Sequence, residues 1–238
     1  MTTIYKIAFK AIFTNQSLPL LVIAKQLRVE LKCMEKIKLS EFTIEKIKNR
    51  EFEKVVPELF ELENVIQNNP WHDNEPVFNH TILVATELNS LLKTVSNKIK
   101  EYLNQKIKNY SRKELLILAA VFHDIGKKET LKDAIFLGHE KMGAEKIFNI
   151  ISRFDLVEKE REFVIKLVGN HGFIHDILNY PADKPKEKWQ KFREENPDIS
   201  LEVVLLTKAD TLVSHLKNSK PKEFAFRISF IDKIIDSY

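Results

Sequence analysis

The chain has 238 residues, of which 44% are apolar and 30% charged, with only 5 glycines. Such a composition excludes global disorder and disfavours a turn-rich β fold. A net charge of +4, from 38 basic and 34 acidic side chains, suits an anionic small molecule but is no nucleic-acid signature by itself.

Abundant Leu, Ile, Lys and Glu predict an all-α protein. The single Cys33 rules out an internal disulfide and a thiolate metal cluster, pointing to a reducing compartment. The apolar run at residues 18–24 is too short for a bilayer span, and no small-residue cleavage signal follows it. The expectation is a cytoplasmic protein with no membrane partner; the sequence leaves the oligomeric state open.

Residues 1–56 carry no recognisable chemistry. Apolar residues recur at helical spacing over 4–12 and 23–34, which predicts amphipathic helices forming an appendage or packing on the rest. Thr43, followed by Lys46 and Ile47, offers no clean cap. There is no internal repeat. The main domain is expected over 57–238.

Pro57 is placed to open a short helix running to Ile66. Residues 68–76 are polar with two prolines and predict a loop. A helix is expected over 77–92, with His80, Val84, Glu87 and Leu91 on the face shared by Leu83 and Leu88. The Lys- and Asn-rich segment 93–110 reads as a continuation or an exposed connection. Ser111 and Glu114 then form a capping box. The helix it opens carries Leu116, Ala119, Ala120 and His123 on one stripe and is expected to stop at Gly126.

His139 follows Gly138 at the start of another helix, and Gly143 one turn later suggests close backbone packing beneath it. A helix over 160–169 ends at His171-Gly172, much as the earlier one ends at His123-Asp124-Ile125-Gly126. Residues 184–193 form a basic helix, read as a solvated face or as a lid that gathers phosphate, with Trp189 and Phe192 anchoring it. A helix over 200–216 turns Asp210 inward among apolar neighbours, a costly placement for an acid that is neither paired nor metal-bound. The tail, 224–238, reads as one more amphipathic segment.

Several of these residues together suggest a metal site. A mixed His and Asp set without thiolate suits Mn, Fe, Co, Ni or Zn, with Mg a further divalent candidate. Such an ion activates water near neutral pH and polarises a phosphoryl oxygen, and two of them can clamp both the attacking and the leaving oxygen. An Asp between two ions is a natural bridge. Lys127 at the glycine turn is placed to meet a substrate phosphate. His175 and Asp176, one turn after His171, read as supporting or surface residues, and His72 and His215 as surface or packing residues.

The order His80, His123-Asp124, His139, His171, Asp210 resembles the HD-domain metal-dependent phosphohydrolases. His-Asp-Ile-Gly-Lys127 matches the extended core motif of that superfamily, and Lys208-Ala-Asp210 its last motif. The approach from Glu61 to Gln67, then Trp71-His72 and His80-Thr81, is similar to the HD portion of CCA-adding tRNA nucleotidyltransferases. The resemblance spans roughly residues 57–217.

It implies an all-α, HD-domain-like helical bundle with extra N-terminal helices. His80, His123, Asp124 and Asp210 would bind a first metal, and His139 and His171 a second, with Asp124 bridging. With a single ion, His139 and His171 would instead contact phosphate or protonate the leaving group. The implied catalytic residues are Asp124, Lys127, His139 and His171. The implied activity is hydrolysis of a phosphomonoester or phosphodiester of a nucleotide, the alternative being a non-catalytic module that binds nucleotide or RNA. Two departures narrow it: there is no glycine-led nucleotidyltransferase motif with paired acids, and no Gly-Tyr-Pro signature of the cyclic-di-GMP-hydrolysing branch.

Overall fold

Helix starts in this chain follow from side chains that answer otherwise free backbone amides. In the computed structural model, which describes residues 36–132, 136–179 and 183–238, Ser111 and Glu114 form the reciprocal capping box expected of them. Thr43 also caps, accepting from the Lys46 amide at 3.3 Å, and opens the short α1 (Ile44–Lys48). The sequence pattern had given no cap there because α1 is barely one turn long and has no periodic stripe to mark it. The helices expected over 4–12 and 23–34, the apolar run 18–24 and Cys33 lie outside the described residues.

The chain divides into two units, Met1–Ile37 and Lys38–Tyr238. In the second, Pro57 opens α2 (Pro57–Phe60), which tightens into a 3₁₀ turn over Glu61–Asn64. The stretch expected as a loop is instead an antiparallel hairpin, β1 (Ile66–Asn69) with β2 (His72–Pro76). Polar side chains, two prolines and no alternation hide these strands from a pattern search. Val77 leads into α3 (Val77–Thr94), and Ser96 caps a separate α4 (Asn97–Asn104) within the ambiguous 93–110 segment.

The core is built from α3, α5 (Arg112–Phe122), α8 (Glu158–Asn170) and α11 (Ser200–Val213), with α7 (His139–Ile151) against α8 and α13 (Pro221–Ile235) against α11. Leu201, Val203, Val204, Leu205, Leu206, Ala209 and Thr211 are all buried, so α11 is enclosed on most sides, as an all-round apolar helix must be. On α3 the buried arc runs through Val77, Thr81, Val84 and Leu88, and Leu83 stays 48% exposed. Leu83 therefore lies off the core face that the spacing had assigned it, because the buried arc is centred on the Val84–Leu88 side of His80.

Two polar staples hold the bundle. Arg112, at the start of α5, donates to Glu202 Oε1 at 2.6 Å and to the Asp198 carbonyl, and its guanidinium lies 4.4 Å from the Tyr102 ring centre. Glu160 has no exposure, yet it accepts from the amides of Asn109, Tyr110 and Val157, so its charge is matched by backbone donors. Phe42 stacks on Phe122 and meets Phe154 edge-on, bracing the end of α5 just before His123. Among the described residues, no helix is long and apolar enough to cross a membrane.

Candidate metal centre

The histidine-aspartate pair lies where α5 gives way to a turn. His123 is the C-cap residue, and residues 123–126 lead into α6 (Lys127–Thr130). Gly126 has φ −85°, an ordinary right-handed value, so it is not a left-handed helix stop. Its lack of a side chain serves packing instead. A Cβ there would run into the His139 carbonyl and come within 2.5 Å of Gly143 N. The expected role of Gly143 is borne out: a Cβ on it would meet Val168 at 3.1 Å and Gly126 N at 3.6 Å. Two glycines thus let α7 press its first turn, with His139, against the turn that carries Asp124. Gly138, at φ 76°, supplies the left-handed residue before that helix.

Three histidines share one device. Nδ1 of His123, His139 and His171 lies 2.8 Å from the carbonyl oxygens of Ala120, Phe136 and Val168 respectively, each three residues back. A carbonyl only accepts, so each Nδ1 carries the proton, and an uncharged ring then presents a bare Nε2 lone pair. All three lone pairs are aimed at Asp124.

The Asp124 carboxylate faces two ways. Oδ1 lies 3.3 Å from His139 Nε2 and 3.7 Å from His171 Nε2. Oδ2 lies 3.2 Å from His123 Nε2 and 3.9 Å from His80 Nε2. Two donor sets follow, His80–His123–Asp124 and Asp124–His139–His171, each with ligand atoms within 4.8 Å of one another. Asp210 joins the first through its Oδ1, 2.9 Å from His80 Nε2.

The donor sets fit a metal on two observations. His123 Nε2 is buried without a hydrogen-bond partner, an expensive state for a polar atom. His139 Nε2 and His171 Nε2 lie 3.2 Å apart with both Nδ1 protons committed elsewhere. Two facing lone pairs repel, whereas two nitrogens on one ion at about 2.1 Å each would sit roughly 3.0–3.4 Å apart.

The electrostatics favour a cation. Burial would raise the Asp124 carboxyl, but the polar contacts of His123, Lys127 and His139 outweigh it and hold the group well below the usual carboxylate range. Asp210 is likewise lowered, burial being overcome by its bonds to His175 and His80. His80 is fully buried, which disfavours its charge, yet Asp210 and Glu75 push it up to about 9. A proton on His80 and a metal ion compete for the same carboxylates.

Several contributors escaped the sequence reading. Glu75 Oε2 stands 3.4 Å from His80 Nδ1 and 3.6 Å from His72 Nδ1. Burial opposes its ionisation, but those two contacts bring it down to about 2. His72 is a packed residue, as expected, its ring edge-on to His80 at 4.4 Å and burial pushing it down to about 4. His175 does support the site: its Nε2 meets Asp210 Oδ2 at 2.9 Å. It is fixed in turn by buried Arg227, which donates to the His175 carbonyl and lies 4.6 Å over Trp71. Lys127 is buried rather than open, its Nζ 2.6 Å from Gln67 Oε1 and 2.7 Å from Asp124 Oδ2. Only the hairpin could have brought Gln67 and Glu75 here, and the hairpin was not visible in the pattern.

Glu75 gives a direct check on this geometry. The three other rings are oriented by backbone, which mutation cannot remove, but His80 leans on a side chain. Glu75→Ala is expected to weaken metal binding about 10–100-fold while leaving the fold intact, read by metal titration and circular dichroism. Unchanged affinity would show that His80 is not oriented through Glu75.

A search of curated proteins gave no matching relative. The family model for the HD domain matches residues 77–214, more than half of the chain and a span that contains His80, His123, Asp124, His139, His171 and Asp210. With that match laid over a helical fold whose paired His and Asp can hold a metal, the chain belongs to the HD-domain family.

Proposed function

We propose that this protein is a metal-dependent phosphohydrolase acting on a phosphomonoester or phosphodiester, the substrate being a nucleotide. The observation that supports it most is the division of Asp124, whose two oxygens address two separate histidine sets. We assign His80, His123, Asp124 and Asp210 to one ion and His139 and His171 to a second, with Asp124 shared. Held there, one or two divalent ions (Mn, Fe, Co, Ni, Zn or Mg) would supply an activated water near neutral pH and polarise a phosphoryl oxygen.

The residues themselves do the positioning. Backbone carbonyls fix the ring tautomers of His123, His139 and His171 before any ligand arrives. Lys127 supplies counter-charge to Asp124 and keeps it ionised within a buried site. Gln67 and Asp124 occupy two of the three donors of the Lys127 ammonium, which leaves one for a substrate phosphate. A cytoplasmic setting agrees with the single cysteine.

Purified untagged protein analysed for bound metal, then assayed with Mn, Ni, Co and Mg on bis-p-nitrophenyl phosphate, p-nitrophenyl phosphate and 2′,3′-cyclic nucleotides, tests the proposal. Bound metal and metal-stimulated turnover are expected. Metal-free protein inert on every substrate would sink it. Metal-loaded protein that binds nucleotides or RNA without turnover would instead make this a binding module, the reading that the likeness of residues 61–81 to CCA-adding enzymes keeps in view.

A further inference from the structure

A cavity lies apart from the metal centre. It measures about 870 Å³ and is formed by α4, α10 (Pro185–Glu195), α11, α13 and the C-terminal residues. None of the six His and Asp residues of the metal centre lines it. The volume falls in the range of small-molecule sites.

Its lining divides into an aromatic floor and a basic rim. Trp189 and Phe230 are buried in the floor, and Tyr102 and Tyr238 are half-buried beside them. The sequence reading of Trp189 as an anchor holds, since it stacks on Phe192, which stacks on Phe173. That role does not exhaust it, because it also lines the cavity. Ser200 Oγ and Tyr238 Oη, 2.7 Å apart, add a polar pair on one wall.

The rim carries Lys98, Lys186, Arg193 and Lys233 against a single acid, Glu194, whose carboxylate accepts from Gln190. Among the described residues none of these four cations forms an ion pair. The contrast within α10 and its approach is informative. Lys184, Lys188 and Lys191, which do not line the cavity, pair with Glu187, Asp183 and Glu195. Lys186 and Arg193, which do line it, have no acid. Arg193 instead lies 4.6 Å over the Tyr238 ring at the cavity wall.

Unpaired cations gathered from three helices around one concave aromatic surface match a ligand with a flat ring and several negative charges. We infer that this cavity binds a nucleoside polyphosphate, its base against the aromatic floor and its phosphates among Lys98, Lys186, Arg193 and Lys233. The site is separate from the centre that we propose cleaves phosphate esters, so a nucleotide held here is not the one placed for hydrolysis there.

Calorimetric titration of the full-length protein with adenylyl imidodiphosphate, a non-hydrolysable nucleotide, tests this. Inorganic tripolyphosphate and adenosine serve as partial ligands. The nucleotide is expected to bind saturably and at least about tenfold more tightly than either. The exposed-residue variant Lys98→Glu/Lys186→Glu/Lys233→Glu is expected to lose roughly tenfold or more of that affinity, with metal content and helical circular dichroism unchanged. No saturable binding, or equal affinity in the variant, would overturn the inference. So would tripolyphosphate binding as tightly as the nucleotide, which would mean an anion site only. Tight binding of a short single-stranded RNA without nucleotide binding would overturn it as well.

Discussion

Asp124→Asn is expected to strip the protein of bound metal and of the proposed phosphohydrolase activity together, while its helical circular dichroism persists. Asparagine keeps the size of the side chain and one carbonyl oxygen, so the turn between α5 and α6 need not repack. It lacks the charge that faces His123 and Lys127, and its amide nitrogen presents protons toward one histidine set where an oxygen stood. One substitution therefore impairs both donor sets. Losing about 4 kcal/mol of charge stabilisation corresponds to a roughly thousandfold fall in rate.

The variant also leaves the buried Lys127 ammonium without its anion, which costs about 3–5 kcal/mol when one member of a buried pair is removed. Asp124→Asn/Lys127→Met removes both members and separates the two effects. It should recover stability without recovering metal or activity, as read by thermal melts and metal analysis. Wild-type metal content and turnover in Asp124→Asn would mean that the motif has been misread.

Gly126→Ala should be among the most damaging single-methyl additions in the protein. The new Cβ would press on the backbone of His139 and Gly143, which cannot move without dragging the first turn of α7. A cost of about 3 kcal/mol is expected from overpacking against rigid backbone, a fall in Tm of roughly 6–12 °C for a domain of this size. Gly172→Ala is the control. The atoms nearest its Cβ would be Oε1, Cδ and Cγ of Glu140, a flexible side chain that can swing away. Its cost should stay below about 1 kcal/mol. Equal melting temperatures for the two alanine variants would refute the close approach of α7 as the reason for Gly126.

The contrast also shows what sequence can and cannot convey. Ser111 and Glu114 were readable because a capping box is a local transaction over three residues. His80, His123, His171 and Asp210 were readable because helix periodicity turns them toward the apolar side, and His139 because the order of the motifs resembles that of the family; the structure brings them together. Gly126 was found, but for a different reason than its actual one, since nothing local reveals that α7 lies against it. Glu75, Gln67 and the reach of His175 to Asp210 depend on contacts across the fold. The hairpin that carries two of them has no alternation and little apolar content, and its place is set by what it touches.

That hairpin is held on both sides of the matched span. On one side Glu75 and Gln67 engage His80 and Lys127. On the other, the His215 amide donates to the Trp71 carbonyl at 2.7 Å, Ser219 Oγ donates to the Pro70 carbonyl, and Arg227 covers the Trp71 ring. The residues that clasp the wall of the metal centre thus lie before residue 77 and after residue 214, outside the family match. A chain trimmed to 77–214 would keep every His and Asp of the centre and lose the brackets that aim His80 and His175. Its working boundary is drawn by this clasp, and the smallest competent unit must extend through α13 at one end and through the hairpin at the other.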